Sequence, residues 1–141
     1  MGENLFDIPE VTGRDEALIG AYAASGRTLD DLPYTKEFEV LFDAVKGEYA
    51  SPAAAFRRLH TLRKAGKLPR ANARGVSPAK VSEEDEKLLI SLVVRECGTL
   101  GQRDQLPLTP KFDMVAAEFL AATKRQMTPH DLWRLIARLA K

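Results

Sequence analysis

The stretch V-S-E-E-D-E-K-L-L at residues 81–89 repeats the pattern of V-T-G-R-D-E-A-L-I at residues 11–19. Two more pairs of matching stretches follow in the same order: L-P-Y-T-K-E-F at 32–38 with L-P-L-T-P-K-F at 106–112, and S-P-A-A-A-F-R-R-L-H-T-L-R-K at 51–64 with T-P-H-D-L-W-R-L-I-A-R-L-A-K at 128–141. Each match is short, but their common order indicates a duplicated unit of about 60 residues.

Each copy carries its own helix start signals. Thr12 and Ser82 stand three residues before Asp15 and Asp85, an acidic variant of the capping box in which a hydroxyl and a carboxylate serve the helix N-terminus. A threonine or serine, often followed by proline, precedes each later helix, and glycines stand where helices should end. The pattern predicts helices over about 13–25, 36–46, 52–65, 83–96, 110–123 and 129–140.

These elements predict an all-α chain of two tandem three-helix, helix-turn-helix-like bundles, because no run alternates as a strand does. The predicted domains are residues 10–68 and 81–141, with a basic linker at 69–80. Phe56 and Trp133 correspond in the two copies, and each is expected to be an aromatic at the edge of its core.

The net charge of +1 conceals two opposed regions. Residues 1–50 carry four Lys or Arg against eleven Asp or Glu, a net charge of −7. Residues 51–80 carry eight Lys or Arg and no acid, a net charge of +8, and residues 81–141 balance nine against nine. A region with cations alone is typical of surfaces that bind polyanions.

The cations recur at helical spacing on the third helix of each copy, opposite its apolar residues. Because a helix fits the DNA major groove and Arg or Lys can contact guanine there, we expect these side chains to contact base edges. The candidates for base contacts are Arg57, His60, Thr61 and Lys64 in the first copy and Arg134, Arg138 and Lys141 in the second. The candidates for phosphate contacts, which continue past the first copy's helix, are Arg58, Arg63, Lys67, Arg70 and Arg74.

A capped helix opening S-E-E-D-E-K-L-L at 82–89, followed by two helices with an aromatic and cations on the last, resembles the Myb/SANT branch of homeodomain-like helix-turn-helix domains. The resemblance covers residues 10–141 in helix order. It implies tandem domains that place the third helix in the major groove of double-stranded DNA. The chain has one tryptophan, Trp133, whereas Myb repeats carry several, and its first connections, 26–34 and 98–108, are long.

We therefore predict a sequence-specific DNA-binding protein, a transcriptional regulator or an accessory factor of DNA transactions. The alternatives are a SANT-like protein-interaction module without DNA readout, with a protein partner on the acidic N-terminal surface, and a structural adaptor whose bundles stack. The acidic region could equally face away from DNA or cover the basic helix. The sequence also leaves open whether the second copy contacts DNA.

Other function classes find little support in the sequence. His60 and His130 lack a local acid–nucleophile arrangement, a single Cys97 offers too few thiolates for a cysteine metal site, and glycine-rich phosphate loops are absent. We expect no enzyme activity, no cofactor and no metal. The N-terminus lacks a signal-peptide pattern and no apolar run could span a bilayer, so we expect no membrane partner and a location in the cytoplasm, at the nucleoid, or in a eukaryotic nucleus.

Overall fold

A computed structural model describes residues 12–70 and 80–141, and within these ranges it contains helices, turns and irregular segments but no strand. The prediction of an all-α chain is therefore confirmed. The chain divides into two compact units, Met1–Gly75 and Val76–Lys141. Most of the predicted linker, residues 71–79, lies outside the described residues.

The described part of each unit contains three α-helices. They are α1 (Gly13–Ser25), α2 (Lys36–Val45) and α3 (Pro52–Lys64) in the first unit, and α4 (Glu83–Cys97), α5 (Pro110–Thr123) and α6 (Pro129–Leu139) in the second. All six agree with the predicted helices to within one residue at either end. A 3₁₀ helix that the sequence did not predict lies in the first connection of each unit, at Leu29–Asp31 and Leu100–Gln105.

The predicted caps of the first helices are confirmed. The Asp15 amide donates to the Thr12 hydroxyl at 3.3 Å and the Thr12 amide donates to the Asp15 carboxylate at 3.1 Å, which completes a capping box. The Asp85 amide donates to the Ser82 hydroxyl at 3.1 Å at the start of α4. Such caps satisfy amides that have no partner within the helix.

The turn before the second helix has the same backbone in both units. Tyr34 has a φ of 67° and Leu108 a φ of 69°, the left-handed conformation that residues other than glycine rarely adopt. The hydroxyls of the threonines that follow, Thr35 and Thr109, each donate at 2.6 Å to the carbonyl of the leucine three residues earlier. The repeated sequence at these positions therefore has the same backbone φ and the same threonine hydrogen bond in both units.

The first helix is the centre of packing in each unit: α1 contacts α2 and α3, and α4 contacts α5, α6 and the second 3₁₀ helix. The prediction that Phe56 belongs to the core is confirmed, but Phe56 and Trp133 do not lie at its edge, because both side chains are fully buried. Phe56 packs edge to face on Phe38 of α2, with ring centroids 6.3 Å apart. The aromatic of each third helix is therefore a central core residue.

The connections before the third helices have five or six residues. Six residues, 46–51, separate α2 from α3, and five residues, 124–128, separate α5 from α6. Helix-turn-helix motifs typically use about three or four residues at this point. The third helix of each unit therefore follows a turn that is slightly longer than the turn of a typical helix-turn-helix motif.

Candidate nucleic-acid interface

The helix that carries the predicted interface, α3, has defined ends. The Ser51 hydroxyl accepts from the Ala54 amide at 3.1 Å and Pro52 occupies the first turn, where its missing N–H costs nothing. At the other end, Gly66 has a φ of 73° and the Lys67 amide donates to the Leu62 carbonyl at 2.8 Å, which stops the helix. The chain then continues to Arg70 without an acidic residue.

The two sides of α3 differ as predicted. Leu59 and Leu62 on the core side have no exposed surface. Arg57, Thr61 and Lys64, at positions i, i+4 and i+7, are exposed on the other side. At 1.5 Å per residue these three side chains extend over about 10 Å of the helix.

The exposed cations continue beyond this row. Arg63, Lys67 and Arg70 are exposed, while Arg74 lies outside the described residues. Arg63 forms an ion pair with Asp30, whose Oδ2 lies 3.8 Å from the Arg63 Nη1. We call the surface formed by Arg57, Thr61, Arg63, Lys64, Lys67 and Arg70 the α3 cationic face.

Most cations of this face have no acidic neighbour. Across residues 12–70 and 80–141, no ion pair within 4.0 Å involves Arg57, Lys64, Lys67 or Arg70. Their positive charge is therefore not neutralised by nearby carboxylates in this part of the chain. A surface of this kind attracts polyanions.

The structure removes His60 from the predicted base contacts. Its side chain is 2% exposed, and its ring packs on the Phe56 ring with centroids 4.7 Å apart. The expectation that it lies on the exposed face was wrong because a residue four positions after Phe56 lies on the same side of the helix. A buried imidazole in this position cannot reach a base edge.

Arg58 also has a different role from the predicted phosphate contact. Its Nε donates to Asp15 Oδ1 at 2.9 Å and its Nη2 to Asp15 Oδ2 at 2.7 Å, a bidentate pair that joins α3 to α1. The Tyr49 hydroxyl donates to the same Oδ1 at 2.9 Å. Asp15 has no exposed surface and the Arg58 side chain is 25% exposed, so the guanidinium is held within the fold.

This cluster shifts the pKa values of its members. The Arg58 guanidinium holds the pKa of Asp15 well below its usual range, against burial and with help from the Thr12 amide and the Tyr49 hydroxyl. Burial and the neighbouring Asp15 carboxylate raise the pKa of Tyr49 to about 12. The sequence identified Asp15 only as a capping residue, because its partners lie 34 and 43 residues later.

The corresponding face of the second unit is less cationic. Arg138 and Lys141 are exposed, whereas Arg134 is half-buried. The Arg138 Nη2 lies 2.7 Å from Glu86 Oε2, so α4 provides a carboxylate for a cation that was predicted to contact DNA. An ion pair between Arg125 and Asp85 at 2.8 Å lies in the same unit.

The described residues contain no candidate metal cluster and no membrane-spanning helix. Residues 12–70 and 80–141 contain no cluster of three or more His, Cys, Asp or Glu side chains that could hold a metal. Burial raises the pKa of the half-buried Cys97 thiol, which favours the less reactive protonated form. None of the helices in these ranges is long and apolar enough to cross a membrane.

Comparison with protein-family models, with curated proteins and with solved structures found no match to this chain.

Proposed function

We propose that this protein binds double-stranded DNA through the α3 cationic face, with α3 in the major groove. The observation that carries the proposal is the row of Arg57, Thr61 and Lys64, exposed on one side of a helix whose other side is the core. Arginine and lysine donate to guanine O6 and N7, and threonine can contact either base type. These three side chains are the proposed base contacts.

The surrounding cations support a second part of the proposal. Arg63, Lys67 and Arg70 are exposed at the end of α3 and just after it, where they would contact phosphates and set the position of the helix. The lack of acidic residues from 51 to 70 lowers the electrostatic cost of approaching DNA. His60 and Arg58 have no part in this contact.

In this proposal the two units are tandem three-helix bundles similar to Myb/SANT domains, and the first provides the main DNA contact. The pairing of Arg138 with Glu86 supports a weaker contribution from the second unit. A protein that reads DNA in this way would act in transcription or another DNA transaction, at the nucleoid or in a nucleus.

The test begins with selection of a motif from a random duplex pool, followed by anisotropy titrations with that motif and with random duplex. We expect the Arg57→Ala/Lys64→Ala variant to lose tenfold or more in affinity for the motif, because each good base contact contributes about 1–3 kcal/mol. Its affinity for random duplex should fall less.

A matched control is Lys46→Ala/Lys87→Ala, which removes the same charge from exposed side chains that form only weak ion pairs at 3.8 and 3.6 Å. It should change both affinities by less than threefold. Equal losses in the two double variants would reduce the proposal to non-specific attraction, and absence of duplex binding at low salt would refute it.

A further inference from the structure

A group of buried polar residues in the first unit lies against Arg63 of the α3 cationic face. The buried members are Tyr22 on α1, Asp30 in the 3₁₀ helix Leu29–Asp31 and His60 on α3, which are 4%, 3% and 2% exposed. Arg63 itself is exposed. Burial of polar groups costs free energy that apolar residues at the same positions would not cost.

The contacts of Arg63 define this group. Its Nη1 lies 3.8 Å from Asp30 Oδ2, and its Nη2 lies 3.4 Å from His60 Nδ1. Because a guanidinium can only donate, Nδ1 is the acceptor in this contact and the neutral ring carries its proton on Nε2. Burial raises the pKa of Tyr22, the charge of Arg63 opposes the rise and the charge of Asp30 adds to it, so the phenol lies near this pair.

The second unit shows that a three-helix scaffold does not require these polar residues. Three of the four positions are apolar in the other copy: Leu92 stands for Tyr22, Ala137 for His60 and Ala140 for Arg63. Leu92 and Ala137 are buried as well, so apolar side chains occupy these places in a folded unit. The polar group is therefore a property of the unit that carries the cationic face.

The side chain of Arg63 combines access to solvent with anchorage in the fold. It is 41% exposed, although two of its nitrogens face buried acceptors. A guanidinium presents its N–H groups in a planar fork that suits phosphate oxygens. An arginine that is already held in one orientation loses less conformational freedom when it binds, which favours the complex.

We propose that Asp30 and His60 are positioning residues, which hold Arg63 in the orientation that contacts a DNA phosphate. This role rests on the proposed function, in which α3 binds duplex. Neither Asp30 nor His60 touches DNA, because both act through the guanidinium. If net charge alone governed binding, the carboxylate of Asp30 would oppose it, so the two views make opposite predictions.

The test measures affinity for random-sequence duplex by anisotropy, because a phosphate contact does not depend on base sequence. We expect Asp30→Asn to weaken binding about threefold or more, although the loss of a negative charge by itself would strengthen it. The matched control is Asp43→Asn, the same change at an exposed position of α2, which should alter the affinity less than about twofold.

Variants of His60 separate positioning from a general loss of structure. His60→Ala introduces the residue of the second copy, and His60→Asn keeps an acceptor near the place of Nδ1. We expect His60→Ala to weaken duplex binding about threefold and to reduce the salt slope by up to about one, the effect of one lost phosphate contact, without removal of a cation. His60→Asn should restore most of the affinity.

The same substitutions in an Arg63→Ala chain complete the experiment. There, neither Asp30→Asn nor His60→Ala should weaken binding further, whereas damage to the fold would lower the affinity in both backgrounds. Circular dichroism establishes that each variant is folded. Stronger binding by Asp30→Asn, or losses that persist in the Arg63→Ala chain, would overturn the proposal. Absence of duplex binding by the unmodified chain at low salt would refute the proposed function as well, whereas binding that only Arg63→Ala weakens would refute the positioning role alone.

Discussion

At the scale of single residues, the charge of Asp15 is buried in the first unit and depends on its hydrogen-bond donors. Its carboxylate has no exposed surface and accepts from Arg58, Tyr49 and the Thr12 amide. A buried carboxylate is stable as an anion only when such donors replace the water it has lost. The cluster therefore joins the start of α1 to α3 and to the chain that leads into α3.

This cluster makes a prediction about acid stability. Because the folded-state pKa of Asp15 is lowered, its contribution to the free energy of unfolding is fully present above about pH 4 and is lost as the pH falls below that value. Asp15→Asn should lower the free energy of unfolding by about 3 kcal/mol at pH 7, because it leaves Arg58 without its charge partner. Urea denaturation at several pH values measures the difference, which should narrow towards pH 2.

Asp43→Asn is the control for this experiment. Asp43 is exposed and lies 3.8 Å from Lys46, so the change should alter the free energy of unfolding by less than about 1 kcal/mol. If the Asp15 variant differed from the unmodified chain by the same amount at pH 2 and pH 7, the ion pair would not be the source of its stability.

Residue positions were easier to predict than residue partners. Helical spacing correctly placed Arg57, Thr61 and Lys64 on the exposed side of α3. It could not show that Arg58, one position after Arg57, would meet a carboxylate 43 residues earlier in the chain. The prediction of an exposed His60 was wrong, because its spacing of four residues from Phe56 places it on the core side of α3.

At the scale of elements, the repeated turn before the second helices gives an internal comparison. Thr35 and Thr109 donate to equivalent carbonyls, but only the Thr35 hydroxyl also accepts from a helix amide, that of Phe38 at 3.1 Å. Thr35 is also the more buried of the two. The threonine at this position therefore makes two side-chain hydrogen bonds in the first unit and one in the second.

We expect Thr35→Ala to lower the free energy of unfolding by about 2 kcal/mol, because it removes two hydrogen bonds, the cap of the Phe38 amide and the one to the Leu32 carbonyl. Thr109→Ala should cost about 1 kcal/mol, since it removes one hydrogen bond. Urea denaturation of both variants measures these costs. Equal costs would show that the amide of Phe38 contributes little, and Thr→Ser at each site should restore most of the loss.

The helices themselves could be predicted because their caps and apolar spacing are local signals. Ser51-Pro52 and Thr128-Pro129 mark the starts of α3 and α6 directly in the sequence. The 3₁₀ helices at Leu29–Asp31 and Leu100–Gln105 could not be predicted, because segments this short have no periodicity. The groove that Ala21, Ala24, Val40 and Ala44 line between α1 and α2 could not be predicted either, because these residues come together only once the two helices are in contact.

At the scale of the whole molecule, the two units distribute their charge differently. Residues 51–64 of the first unit carry four Lys or Arg and no acid, whereas the matching residues 128–141 of the second carry three Lys or Arg and one Asp. Within the second unit, Glu86 lies against Arg138 and Glu118 against Arg95. In the second unit, two of the arginines are therefore paired with carboxylates of other helices.

This asymmetry predicts how the two units contribute to the salt dependence of duplex binding. If Arg57, Arg63, Lys64, Lys67 and Arg70 contact DNA, the slope of log affinity against log salt should be about −4 to −5 for the full chain. Arg57→Ala/Lys64→Ala should reduce its magnitude by about two. Arg138→Ala/Lys141→Ala should reduce it by less than about one, because the charge of Arg138 is already balanced by Glu86.

Both double variants remove two positive charges, so a mere change in net charge would affect the slopes alike. Anisotropy titrations from 50 to 300 mM salt measure the three slopes under the same conditions. A larger effect of the Arg138 and Lys141 substitutions would place the main DNA contact on α6. A difference in the expected direction would mean that Arg57 and Lys64 contribute more to polyanion binding than Arg138 and Lys141 do.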